Sequence, residues 1–351
     1  MSAKYILSGA AAMASFIGAQ AALDLNSSSN IALYWGQNSY NQASGDLEQQ
    51  NLAYYCQNTA VDVLQLAFVT VINGPGGVPE INFANIGNNC TTFDGTSLLN
   101  CPQVGDDIKT CQAAGKTILL SIGGATYSEG GFTSTDAATA GAQLIWDTFG
   151  PDSNSSALRP FGDAVVDGFD FDFEATVSNM ATFGNELRSL MDADTSKKYY
   201  LTAAPQCVYP DAADNQMLDG AVKFDAIWVQ FYNNYCGVNN YVAGASTQNY
   251  NFETWDTWAK NTSANPDVKV FVGVPGNTGA AGTGYLSASA LQPVLEYSAT
   301  FSSFGGVMIW DASQAYANNG FISGVASDLG SSSSKGTISR IMRRLVDRSY
   351  W

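Results

Sequence analysis

The residues best suited to chemistry lie in one run, Asp167-Gly168-Phe169-Asp170-Phe171-Asp172-Phe173-Glu174. A strand points successive side chains to opposite faces, so Asp170, Asp172 and Glu174 share one face and the three Phe the other. Acids two residues apart on one face are about 7 Å apart, close enough to repel when all are ionised. A proton shared between Asp170 and Asp172 would relieve this and couple their titrations. Glu174 comes last, at the end of the strand where a substrate would arrive. Buried carboxyl clusters move pKa values towards the working pH, so acid–base catalysis is the chemistry this pattern favours. Two other readings use the same residues. A solvated edge strand would more often mix Lys with its acids, and Val165, Val166 and three Phe make this stretch strongly apolar. A carboxylate cluster could also bind calcium or magnesium, though neither a metal nor a cofactor is expected here. Asp167 faces away from the other acids, which suits a structural role.

Composition narrows the chemistry further. The 351 residues include no histidine, so a Ser-His-Asp triad, a Cys-His dyad and an imidazole zinc site are excluded. Proton transfer falls to Asp, Glu, Tyr, Lys or Cys. The net charge of −16 argues against nucleic acid as a partner.

The elements that must position the acidic strand are legible as eight apolar or β-branched runs. They are Ile31–Trp35, Val63–Thr70, Thr117–Ile122, Gly168–Glu174, Tyr199–Ala204, Ala226–Tyr232, Lys269–Val274 and Gly305–Trp310. Gly, Pro, Asn or Asp bounds each run. Helix-length segments lie between them, among them Ala137–Phe149, Thr182–Met191 and Ala288–Ser298. Strands alternating with helices indicate a parallel sheet, and eight units predict a single-domain α/β fold, a closed (β/α)8 TIM barrel. No GxGxxG opens the first unit, which disfavours an open dinucleotide-binding sheet. In a barrel the chemistry sits at the C-terminal ends of the strands. On the sixth run Trp228, Gln230 and Tyr232 share a face, with Tyr232 last; Tyr34 and Trp310 stand near the ends of the first and eighth.

The two ends read differently. Residues 1–21 form a signal peptide: Lys4, then an apolar and small-residue stretch, then the A-x-A site Ala19-Gln20-Ala21. The stretch is too short and interrupted for a transmembrane anchor. Residues 331–351 form a Ser-rich, then basic tail that is expected to be flexible, with an amphipathic surface helix as its alternative. The body between, 22–330, holds thirty acidic and nine basic residues, a net of −21. Its six cysteines are Cys56, Cys90, Cys101, Cys111, Cys207 and Cys236, an even number that suits disulfides in a secreted, extracellular protein. Their order alone leaves 15 pairings open. Sequons at Asn26, Asn89, Asn154 and Asn261 are compatible with glycosylation.

The acidic run fits DxxDxDxE, the signature of glycoside hydrolase family 18, and Ser121-Ile122-Gly123-Gly124 matches that family's SxGG. The stretches Ile31–Asn38, Leu201–Cys207, Trp228–Asn234 and Gly305–Trp310 resemble the plant-type, hevamine-like class III chitinases. The resemblance runs from about Ile31 to Gly330. The leader and the Ser-containing tail look most like secreted fungal members. It implies an endo-acting, monomeric enzyme that cuts chitin or chitooligosaccharides by a retaining, substrate-assisted reaction, an exception to the two-carboxylate scheme. Carried onto this sequence, Glu174 is the general acid and then the base. Asp172 orients the substrate's acetamido group, Asp170 tunes Asp172 by hydrogen bonding and proton sharing, and Tyr232 donates its hydroxyl to the acetamido oxygen. Tyr34, Gly124, Gln230 and Trp310 are implied substrate-binding positions, with Trp310 the floor of the sugar site. Ala125 stands where the plant enzymes often carry a third Gly. The resemblance also pairs Cys56 with Cys111, Cys90 with Cys101 and Cys207 with Cys236. A silent lectin or inhibitor on the same barrel and an endo-β-N-acetylglucosaminidase are the competing readings. Retention of Asp170, Asp172, Glu174 and Tyr232 disfavours the first, and the pattern around Gln206 and Tyr232 the second.

Overall fold

The computed structural model describes residues 23–151 and 154–330; the leader 1–21 and the tail 331–351 lie outside the described residues. Eight strands form the barrel: β1 (Asn30–Trp35), β2 (Val63–Val71), β3 (Thr117–Gly123), β4 (Gly168–Asp172), β5 (Tyr200–Ala203), β6 (Ala226–Gln230), β7 (Lys269–Pro275) and β8 (Phe304–Trp310). Each pairs in parallel with its neighbours in chain order, and β1 pairs with both β2 and β8, which closes the sheet. Five longer helices follow the strands: α1 (Pro102–Ala113), α2 (Thr135–Phe149), α3 (Met180–Ala193), α4 (Phe252–Asn261) and α5 (Ala288–Ser298). Among the described residues, no helix is long and apolar enough to cross a membrane.

Alternation sorts every strand into two cores. Phe169 and Phe171 face outward into the layer shared with the helices, where Phe171 lies 5.5 Å from Phe183 of α3. That helix turns Met180, Phe183, Gly184, Leu187 and Met191 inward, a spacing that keeps one face on the sheet. The inward residues form a second core, with Ala32, Tyr34, Val63, Ala67, Leu119, Trp228, Phe271 and Met308 among them. Leu23 closes this core from below. Its N–H donates to Thr117 Oγ1 at 3.2 Å and its carbonyl accepts from the Tyr200 hydroxyl at 3.3 Å.

The N-terminal rim of the barrel is braced by a repeated device. Asp62, Asp167 and Asp225 immediately precede β2, β4 and β6. Each accepts a second hydrogen bond, through its carboxylate, from the backbone N–H of Ile31, Ile118 or Leu201 on the adjacent strand, at 2.8–2.9 Å. Each has a cation at hand. Lys197 pairs with Asp167 at 2.7 Å, Arg188 pairs with Asp225 at 3.0 Å, and Lys116 draws Asp62 back towards the usual carboxylate range.

Two strands end earlier than their apolar runs predict. β4 stops at Asp172 and β6 at Gln230, so Glu174 and Tyr232 stand two residues beyond the ladder. Hydropathy continues there because Phe173 and Phe231 still pack into the outer core. The long β2–β3 connection contains a short strand, Glu80–Ile81, antiparallel to β2, and a small hairpin of Thr91–Thr92 with Leu99–Asn100. Disulfides join Cys90 to Cys101 across that hairpin, Cys56 to Cys111 of α1, and Cys207 to Cys236 between the β5 and β6 connections.

Candidate active site

The acidic face of β4 points into the barrel, and the neighbouring strands meet it in register. Ser121 of β3 and Thr202 of β5 lie directly beside Asp170. In a parallel sheet such partners turn their side chains to the same face. Asp170 is fully buried and accepts four hydrogen bonds. Its Oδ2 takes the hydroxyls of Tyr34 at 2.6 Å and Ser121 at 2.7 Å. Its Oδ1 takes the Thr202 hydroxyl at 2.7 Å and the Trp228 indole N–H at 2.9 Å.

A carboxylate offers about four lone-pair sites, and those on Asp170 are occupied by donors. Burial raises the Asp170 pKa, and the four donors oppose that rise. Asp172, 3% exposed, is treated differently. Only the Gln230 amide, at 2.9 Å, is bonded to its carboxyl. Burial first, then the charges of Glu174, Asp170 and Asp211, hold its pKa well above the usual carboxylate range. Asp172 is therefore the carboxyl of the column whose surroundings most favour the protonated form. Glu174 opens to solvent as a residue, yet burial of its carboxyl end pushes its pKa up as well.

The surroundings fix these side chains. A Cβ on Gly123 would come within 2.4 Å of the Asp172 carbonyl oxygen, and one on Gly124 within 2.7 Å of the Phe68 ring. Both glycines also have positive φ, 121° and 79°, so the SxGG turn allows β3 to bend tightly around β4. The Gly124 N–H donates to the Asp172 carbonyl at 2.7 Å, which commits it to the turn instead of to a ligand. Tyr34 likewise lies inside the barrel, 1% exposed, with its hydroxyl on Asp170. The polar groups of Tyr34 and Gly124 thus have protein partners. Gln230 spends its amide on Asp172 and the Ala204 carbonyl. Tyr232 is 7% exposed, and burial followed by the charges of Asp172 and Glu174 keeps its hydroxyl protonated.

Trp310 ends β8 half-buried, with Phe68 stacked on it at 5.9 Å and Tyr34 edge-on at 5.5 Å. The next residue, Asp311, accepts from Ser39 N at 3.2 Å and Ser313 Oγ at 2.7 Å, which ties the β1 connection to the end of β8. Asp167, at the foot of β4, accepts from Gln112, Ile118 and Lys197, in keeping with a structural part. Among the described residues, no group of three or more His, Cys, Asp or Glu is placed to hold a metal ion. Thr202, Asp211 and Asp311 escaped the sequence reading. Alternation along β5 could have flagged Thr202, whereas the two aspartates lie in connections without a period.

The site is thus a vertical series: a carboxyl saturated with donors, a second carboxyl above it whose pKa is pushed well up, and a Glu open to solvent at the mouth. A phenol stands to one side and an indole to the other. Such a series can protonate a leaving group and stabilise a cation beside it.

Comparisons with known proteins place the chain in a family. The family model "Glycosyl hydrolases family 18" matches residues 30–283. A class III chitinase of Arthroderma benhamiae is 56% identical, covering 99% of this chain and 97% of that protein. Endochitinase 33 of Trichoderma harzianum is 53% identical over 86% of this chain and 92% of its own length. Among solved structures, a xylanase and α-amylase inhibitor from Scadoxus multiflorus superposes with a TM-score of 0.67 at 30% identity, covering 85% of this chain and 98% of its own.

Proposed function

The chain belongs to glycosyl hydrolase family 18, and from that premise we propose that it is a secreted, endo-acting chitinase with a retaining, substrate-assisted mechanism. The observation that carries the proposal is the graded column along and just beyond β4, in which one carboxyl is held by four donors and the pKa values of the next two are pushed up by burial.

Glu174, protonated at the mouth, gives its proton to the glycosidic oxygen as the bond from that oxygen to the anomeric carbon breaks. The carbonyl oxygen of the sugar's own 2-acetamido group bonds to that carbon, forming an oxazolinium ion. Asp172 receives the acetamido N–H, and the negative charge of Asp170 below stabilises the cation. The Tyr232 hydroxyl, kept protonated by burial, donates to the acetamido oxygen and aligns it. Water then attacks the anomeric carbon, Glu174 takes its proton, and the acetamide is restored. Trp310 offers a flat apolar face to the sugar ring. Tyr34, Ser121, Thr202 and Trp228 act beneath the substrate by holding Asp170. Export is supported by the leader sequence and by three disulfides.

A shared barrel does not decide activity, as the Scadoxus inhibitor illustrates. The test is hydrolysis of chitin oligosaccharides by wild type and Glu174→Gln, with a high-mannose glycoprotein as the competing substrate. Cleavage within chitin chains, largely lost in Glu174→Gln, is expected. Folded wild type with no activity on chitin overturns the assignment. A thiazoline analogue of the oxazolinium should inhibit strongly; an inert one rules out acetamido participation.

A further inference from the structure

A second pair of acids lies behind the column and has no part in the steps above. Asp211 and Asp214 stand in the connection that leaves β5, 4% and 0% exposed. Asp211 accepts three backbone N–H groups, from Gln206 at 3.1 Å, Ala213 at 2.9 Å and Asp214 at 2.6 Å. Such donors favour the charged form and oppose the upward push of burial. Asp214 is the opposite case. Both of its carboxyl oxygens are buried without a hydrogen-bond partner. An unpaired buried carboxylate is costly, so burial pushes Asp214 towards its neutral form, while the three donors on Asp211 favour a charge there.

From Asp211 a short chain of contacts reaches the column. The Gln206 backbone that Asp211 holds pairs with Gln230. On either side, Gln230 N donates to the Pro205 carbonyl at 2.8 Å and Cys207 N donates to the Gln230 carbonyl at 3.2 Å. Gln230 is the side chain bonded to Asp172. The Cys207–Cys236 disulfide and the bond from Asn234 Nδ2 to Gln206 Oε1, 3.0 Å, keep this connection in place. The titratable groups that face Asp172 are Asp170 and Glu174 on its own strand, Tyr34 from β1, Tyr232 beyond β6, and Asp211 and Asp214. None of these is a cation, so nothing among them cancels the charge on Asp211.

We propose that Asp211 is a positioning residue for Asp172: it holds Gln230 beside that carboxyl, and the negative charge it sets behind the carboxyl, acting against the Gln230 donor, extends the alkaline reach of the reaction. The inference rests on the substrate-assisted reading of the site. The charge raises the proton affinity of Asp172 and, through it, of the Asp172–Glu174 pair that must be protonated before the glycosidic bond can break.

The experiment is the pH profile of kcat/KM on a chitin oligosaccharide for wild type and Asp211→Asn. The alkaline limb should move down by about half to one pH unit while the rate on the acidic side stays within about threefold. An unmoved limb, or an equal loss at every pH, overturns the proposal, since a purely structural role predicts the latter. Isotope-labelled carboxyl NMR of the wild type needs neither a variant nor turnover. The Asp172 signal should shift a second time as Asp211 ionises, and Asp214 should stay protonated through neutral pH. Absence of that second shift overturns the inference even if Asp211→Asn does not fold. Wild type that fails to cleave chitin yet shows the shift would sink the assigned activity and leave the coupling intact.

Discussion

Strand β4 carries acids at both of its ends, and the two ends treat them in opposite ways. At the foot, Asp167 has a lysine partner at 2.7 Å and takes a strand N–H, as Asp225 does with Arg188. At the mouth, the groups facing Asp172 are carboxyls and phenols without a cation. The foot therefore turns charge into bracing, whereas the mouth gathers acids that neutral donors and protonation, not cations, must relieve. A paired acid contributes stability; an unpaired one costs stability and stores the proton that catalysis uses. With nine basic residues for thirty acids in the body, where the cations go is the decision that separates the ends.

Substitutions can break the contrast. The largest effect is expected at the mouth. Glu174→Gln should lower kcat on chitin oligosaccharides about 10²- to 10⁴-fold, the usual worth of a general acid, while the denaturation midpoint holds or rises. A large loss of stability in that variant would mean the mouth is bracing after all. At the foot the pattern should invert. Asp225→Ala leaves the Arg188 guanidinium, 13% exposed, and the Leu201 N–H without their shared partner. It should cost about 2–3 kcal/mol in denaturant unfolding and leave kcat within about twofold.

The smallest effect sharpens the comparison through pH. The pKa of Asp172 is raised by folding, so the native state binds more protons than the unfolded chain as pH rises through the usual carboxylate range. Its burial then costs stability above that range and nothing below it. Asp172→Asn should accordingly be more stable than wild type by about 1 kcal/mol near pH 7 and equal to it near pH 3. Melting curves at the two pH values check this, and equal melting at both would show that Asp172 is not held protonated.

Much of this was legible in the chain. Alternation in Asp167–Glu174 placed three acids on one face, and eight apolar runs set the barrel, because both rest on local periods of side-chain direction. Where hydropathy was the only guide it overran: Phe173 and Phe231 pack as strand residues would, although β4 and β6 have already ended. The hydroxyl of Tyr34 on Asp170 and the Gly124 N–H on the Asp172 carbonyl were not legible, because a sequence does not say which group takes a hydroxyl or an N–H.

The sequence by itself determined the fold class, the acidic face and the lack of any imidazole, since each follows from residue type and spacing. Tertiary structure alone decided how differently the acids are held. Asp170 and Asp172 are the same residue on the same face, and they differ because Ser121, Thr202, Tyr34 and Trp228 converge on one from four other strands while Gln230 alone reaches the other. Protonation depends on donors and charges brought together by barrel closure from positions up to 136 residues apart in the chain, and no local pattern records that meeting.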